Sequence, residues 1–164
     1  MPAFEALTAG MAAEMAKTVT ETDVVLYAGI TGDFNPAHVN EVAAAESRFG
    51  GRIAHGMLSA GFISAVLAMR LPGPGTIYLS QSLRFTRPVR IGDTVTARVE
   101  VVEVMAAKRR ARLATTCTNQ QGETVIEGEA LVMVPLPVAA AAIRPPDAPL
   151  PQLPQVPQVP QVVP

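Results

Sequence analysis

An acid and an imidazole stand close together in Asp33-Phe34-Asn35-Pro36-Ala37-His38. Converging on one water, such a pair can take a proton from it and deliver a proton elsewhere. Imidazole suits the task because it titrates near neutrality. Pro36 disfavours helical backbone at Asn35, so a helix entering this stretch should end near Gly32. Asp33 is then expected at or just past a helix C-terminus. His38 is expected after a rigid Asn-Pro turn. The same six residues would also serve as an Asp-capped turn with a surface histidine, and a short motif alone does not choose between the two.

A second stretch, Arg52-Ile53-Ala54-His55-Gly56-Met57, favours chemistry. It opens a run without formal charge over 53–69, in which Ser59, Ala60, Gly61 and Ser64 permit close packing. The run reads as a buried helix over about 56–70. The N–H groups of Gly56 and Met57 at its start form a site for an anion, or for a carbonyl oxygen that becomes enolate-like. A membrane span would need ~20 apolar residues. This run is shorter and carries His55, so a core helix is expected.

Four signatures now stand in series: Asp33-Phe34-Asn35-Pro36-x-His38, His55-Gly56-Met57-Leu58, Gly75-Thr76-Ile77-Tyr78-Leu79, and Phe85-x-x-Pro88-Val89-x-x-Gly92-Asp93. In this order and spacing the chain resembles the MaoC-like, (R)-specific enoyl-CoA hydratases over about residues 7–134. The resemblance implies a hot-dog fold, α+β, with an antiparallel sheet wrapped around a central helix. It implies that Asp33 and His38 are catalytic and that the Gly56 N–H holds a thioester oxygen. Ser64 matches a position that hydrogen-bonds near the catalytic residues. Asn35 and His55 join Gly56 and Ser64 as expected oxyanion or substrate-binding residues. Val66, Leu67 and Val132 are expected in an acyl-pocket wall. No metal or redox cofactor is expected, since the coenzyme A thioester is the substrate. The implied role lies between fatty-acid β-oxidation and the supply of polyhydroxyalkanoate monomers.

Composition sets the bounds. The 164 residues suit one domain with a real core. Hydrophobic residues at 49% against 16% charged imply buried surface beyond one subunit, hence a homodimer. A net charge of −1 without a basic run points to neither nucleic acid nor anionic membrane. Cys117, as the one cysteine, excludes an internal disulfide and fits a reducing compartment. The N-terminus lacks the order of a signal peptide, so a cytoplasmic location is expected.

The elements that must position the pair follow in order. A strand is expected over 14–19. Thr20-Glu21-Thr22-Asp23 then reads as a helix start with Thr20 as N-cap. The helix runs to about Gly32, and a short helix is expected over 41–46. Phe49-Gly50-Gly51 should form a loop close to substrate. After a Pro/Gly stop at 71–75, period-two patterns predict a strand at 77–86 with Ile77, Leu79, Gln81, Leu83 and Phe85 on one face. Further strands are expected at 94–101, with Val95, Ala97, Val99 and Val101 on one face, then at 109–118 and 125–134. Asn119 to Glu123 reads as a hairpin turn. Arg84, Arg87 and Arg90 could meet coenzyme A phosphates, although solvated charge explains them more simply. The hot-dog domain is assigned to 1–137. A Pro-rich disordered tail is assigned to 138–164, where Pro-Gln-apolar triplets repeat.

Three other readings remain open here: a carrier-protein 3-hydroxyacyl dehydratase, a hot-dog thioesterase and a non-catalytic acyl-CoA-binding subunit. A thioesterase would have little need of His38. A degenerate binding subunit would have lost Asp33 or His38.

Overall fold

The computed structural model describes residues 4–135. Strand β1 (Ala12–Thr18) leads into helix α1 (Glu21–Thr31), then α2 (Pro36–Val39), α3 (Glu41–Ala45) and the long α4 (Gly56–Met69). Strands β2 (Ile77–Phe85), β3 (Thr94–Met105), β4 (Arg110–Thr118) and β5 (Thr124–Met133) follow. The five strands make one sheet in the order β1-β3-β4-β5-β2, and every neighbouring pair is antiparallel. Helix α4 lies against this sheet, as a hot-dog arrangement requires.

The core is made where period two meets period 3.6. Val95, Ala97, Val99 and Val101 of β3, and Ala111, Leu113, Thr115 and Cys117 of β4, all face inward and are buried. They meet Ala60, Phe62, Ile63, Val66 and Leu67 of α4. Each large apolar side chain buried here contributes about 1.5–3 kcal/mol. Burial therefore holds α4 in place, despite two glycines within it. Only one face of α4 is covered in the single chain. Met57 and Met69 stay more than half exposed, so the helix is not hidden all round as the sequence suggests.

Three further details depart from expectation. The Asn-Pro turn is itself a short helix, α2, with Asn35 as N-cap and Pro36 at its first position, where a missing N–H costs nothing. Strand β2 carries a bulge between Tyr78 and Ser80, which breaks the single-face alternation read for 77–85. Phe4 and Leu7, in a stretch without a clear pattern, are buried in the core. The Arg109 guanidinium sits 4.6 Å over the Phe4 ring and pairs with Glu5 at 2.6 Å. The assigned tail at 138–164 lies outside the described residues.

Candidate active site

Asp33 follows a helix stop that only glycine makes easily. Gly32 caps α1 at φ 77°, and its N–H donates to the Ala28 carbonyl at 2.8 Å. The chain then turns through a ladder of local bonds. The Asp33 carboxylate accepts from the Asn35 N–H at 3.2 Å, and the Asn35 side-chain oxygen accepts from the Ala37 N–H at 3.0 Å. The Asn35 side-chain oxygen is thus occupied in building the turn. The ladder sets the first turn of α2, which carries His38.

The His38 ring is oriented by the backbone. Its Nδ1 lies 2.8 Å from the Ile53 carbonyl. A carbonyl can only accept, so Nδ1 holds the proton and donates. Nε2 is left with the lone pair, the form a general base needs. Asp33, His38 and His55 each bring one carboxylate oxygen or ring nitrogen within 4.8 Å of the others. They form the one cluster of such groups found among the described residues. It has the ligand types of a metal site, but it also suits proton transfer through a water.

Helix α4 starts beside the pair. His55 is its N-cap and makes no side-chain capping bond. The N–H groups of Gly56 and Met57 in the first turn have no intrahelical partner and remain available to an incoming oxygen. Gly56 is required here by close approach. A Cβ at this position would stand 2.7 Å from the Phe85 ring. A cleft of about 380 Å³ opens at this point. It is lined by His38, Gly56, Met57 and Ser59 on one side and by Phe85 and Ile126 on the other. Arg48, Phe49 and Arg87 also line it.

The expected residues divide accordingly. Asp33 and His38 come together, and His38 lines the cleft with Gly56, whereas Asp33 stands beside His38 outside the lining. His55 does not line the cleft. It is 2% exposed and lies behind the pair. Ser64 sits two turns further along α4, half-buried and away from the cleft. Val66, Leu67 and Val132 are core residues, and none lines the cleft. Period 3.6 and period two turn these three side chains inward, where they serve packing in the single chain. The cleft's apolar lining comes instead from Met57, Phe85, Val89 and Ile126. Phe49 does lie at the cleft, as the double-glycine loop predicts.

Arg84 pairs with Glu127, and Arg90 donates to the Phe49 carbonyl. Arg87 reaches Glu123 at 3.4 Å. In the sequence Ser59 reads only as a small packing residue, and Arg48 is not singled out. Helical spacing from His55 marks Ser59, whereas nothing local marks Arg48.

Arg52 braces the whole arrangement. Its guanidinium meets both carboxylate oxygens of Glu21 at 2.8 and 2.7 Å, and its Nε donates to Glu41 at 3.0 Å. One fork thus ties the starts of α1 and α3.

A hot-dog sheet, an Asp–His pair flanking an Asn-Pro turn, and a helix N-terminus facing a cleft define a class, and comparison with known proteins agrees. Residues 4–124 match the MaoC like domain, and the chain belongs to that family. An (R)-specific enoyl-CoA hydratase from Rhodospirillum rubrum is 59% identical over 132 residues, spanning 80% of this chain and 91% of that protein. The R-hydratase PhaJ1 from Pseudomonas aeruginosa, in its unliganded form, superposes with a TM-score of 0.77 at 43% identity, covering 93% of this chain and 94% of that one. The (R)-hydratase from Aeromonas caviae involved in PHA biosynthesis gives a TM-score of 0.78 at 41% identity, covering 80% and 99%.

Proposed function

We propose that this chain is an (R)-specific enoyl-CoA hydratase. It adds water reversibly and syn to a trans-2-enoyl-CoA, giving the (R)-3-hydroxyacyl-CoA. The observation that carries this reading is the placing of Asp33 and His38 together beside the open N-terminus of α4.

The Gly56 N–H donates a hydrogen bond to the thioester oxygen. That makes C3 electrophilic and stabilises the enolate formed as water adds. A water between Asp33 and His38 gives a proton to one member of the pair as its oxygen attacks C3. The other member of the pair delivers a proton to C2, and the pair works as a unit. Hydration moves no electrons between substrate and protein, so the step requires no redox cofactor. The proton transfers are supplied by the pair, so it requires no metal.

The acyl chain follows the apolar lining of the cleft. The hydroxyacyl product suits the supply of polyhydroxyalkanoate monomers from fatty-acid β-oxidation.

The test is the ultraviolet absorbance of crotonyl-CoA. Hydration removes the conjugated double bond without releasing thiol. Release of free coenzyme A would instead identify a thioesterase, and no change would identify a binding subunit.

The functional unit in this reading is a homodimer. Strand β2 stands at the sheet edge, with Ile77, Tyr78, Leu79 and Phe85 each more than a third exposed. Pairing with the same strand of a second copy would remove that edge and join two sheets into one. Light scattering should report a dimer at micromolar concentration, and a monomer there would overturn this part of the reading. No described helix is long and apolar enough to cross a membrane.

A further inference from the structure

His55 is a deeply buried polar side chain beside the acid–base pair, and hydration as written above gives it no task. Its environment is unusual. The Nε2 lies 2.9 Å from the backbone carbonyl of Asp33. Because a carbonyl only accepts, the proton sits on Nε2 and is donated to the backbone of the acid itself. One face of the ring lies against His38, with ring centroids 3.9 Å apart and planes tilted by 31°. Tyr27 of α1 packs 4.8 Å away. The ring therefore touches both members of the pair, and Tyr27 supports it from α1.

The other nitrogen, Nδ1, is buried and has no partner among the described residues. With the proton on Nε2, Nδ1 is an acceptor in need of a donor. A second buried orphan is the Ser59 hydroxyl, four residues further along α4. Residues at this spacing share a helix face. A hydroxyl can donate, so the two orphans are complementary. They can be satisfied by a rotation of Ser59 or by one buried water between them. Ser59 also lines the cleft.

We propose that His55 is a positioning residue for the acid–base pair. It fixes Asp33 through its Nε2–H bond and His38 through ring contact, with Ser59 as the donor that keeps its tautomer. The proposal rests on Asp33 and His38 being the catalytic pair. It assigns His55 no contact with substrate.

The test uses substitutions that separate the donor from the ring. Glutamine can place an amide N–H near the position of imidazole Nε2, whereas phenylalanine keeps a flat ring and loses the donor. In crotonyl-CoA hydration, His55→Phe should lower kcat by ~10- to 100-fold, the range expected when a reacting group drifts by up to about 1 Å. KM should stay within about threefold, because the cleft wall is untouched. His55→Gln should recover most of the loss. A deep loss in both variants, with folding intact by circular dichroism, would overturn the donor assignment.

Nitrogen-15 NMR of the imidazoles in the unaltered protein offers a second readout. His55 should show its proton on Nε2, and Ser59→Ala should perturb the Nδ1 resonance. A proton resident on Nδ1 alone would also overturn the proposal. Asp33→Asn and His38→Gln run in parallel as controls. If they keep activity, the acid–base reading fails. If they lose it while His55→Phe does not, only the role given to His55 fails.

Discussion

Two helix starts in this protein are built in opposite ways. At α1 the cap is reciprocal. The Thr20 hydroxyl accepts from the Asp23 N–H at 3.2 Å, while one Asp23 carboxylate oxygen accepts from the Thr20 N–H at 2.8 Å. The same oxygen receives the Thr20 hydroxyl at 2.7 Å and the Lys17 ammonium at 2.9 Å. The Thr20 hydroxyl and N–H, with Lys17, hold the Asp23 carboxyl down at about 2. At α4 the cap residue is His55, and it offers its own helix no side-chain bond.

The two aspartates differ in the same sense. Asp23 is saturated, whereas Asp33 is exposed and accepts from the single N–H of Asn35 among the described residues. A saturated acid stabilises. An undersatisfied acid beside an open helix start is left free for reacting atoms.

The contrast breaks most visibly at the undersatisfied acid. Asp33→Asn and His38→Gln should each lower kcat by ~10²–10⁴, the usual cost of losing a general acid or base. The melting temperature should barely change, and stopped-flow hydration with a parallel thermal melt checks both. Near-normal turnover in either folded variant would remove the pair from the mechanism.

Next comes the open helix start. Gly56→Ala keeps the backbone N–H but drives a methyl group into the Phe85 ring, which must swing away. Displacement at the oxyanion site should lower kcat/KM by ~10- to 100-fold. Adding Phe85→Leu should restore part of the loss. If the double variant is no better than the single one, ring contact is not the reason for glycine.

The smallest effect belongs to the closed start. Asp23→Asn should destabilise the fold by about 1 kcal/mol, as loss of a capping interaction does, with turnover retained. The pH dependence has a definite sign. The folded-state carboxyl titrates at about 2, below the ~3.9 of an unfolded aspartate. Its stabilising contribution is therefore complete above the unfolded value and disappears as pH falls through about 2. The gap in melting temperature between parent and Asp23→Asn should be widest above pH ~5 and should narrow towards pH ~2. A gap that widens on acidification would contradict the capping role.

Cys117 sharpens the comparison from the other side. Burial pushes its thiol up to about 12. It should ignore a thiol reagent at pH 8 until the protein unfolds, and fast labelling of the native protein would show an open core.

Where residue type and spacing act locally, the sequence was readable. Thr20 and Asp23 announce a helix start, Pro36 ends the helix ahead of Asp33, and alternating valines in 95–101 turn inward as they must. The readings that failed depend on distant partners. A bulge at Leu79 is set by how β2 meets β5, which no local pattern encodes. Phe4 packs beneath Arg109, far along the chain, and Leu7 joins the same core. His55 is expected from the resemblance among the substrate-binding residues, whereas the structure buries it behind the pair. Its burial follows from the packing of α1 and α2 over it, which period and propensity do not reveal.

Arg52 has a consequence for motion. It is bonded in sequence to Ile53, whose carbonyl orients His38, and its fork grips α1 and α3. In mechanical terms the turn that carries Asp33 and His38 is a bracket fastened at both ends and pinned at the middle. A strain applied to either helix is carried to the carbonyl that aims the imidazole. Slackening the pin would let that ring wander through small angles while the sheet stays rigid, so the enzyme would lose aim well before it lost its fold.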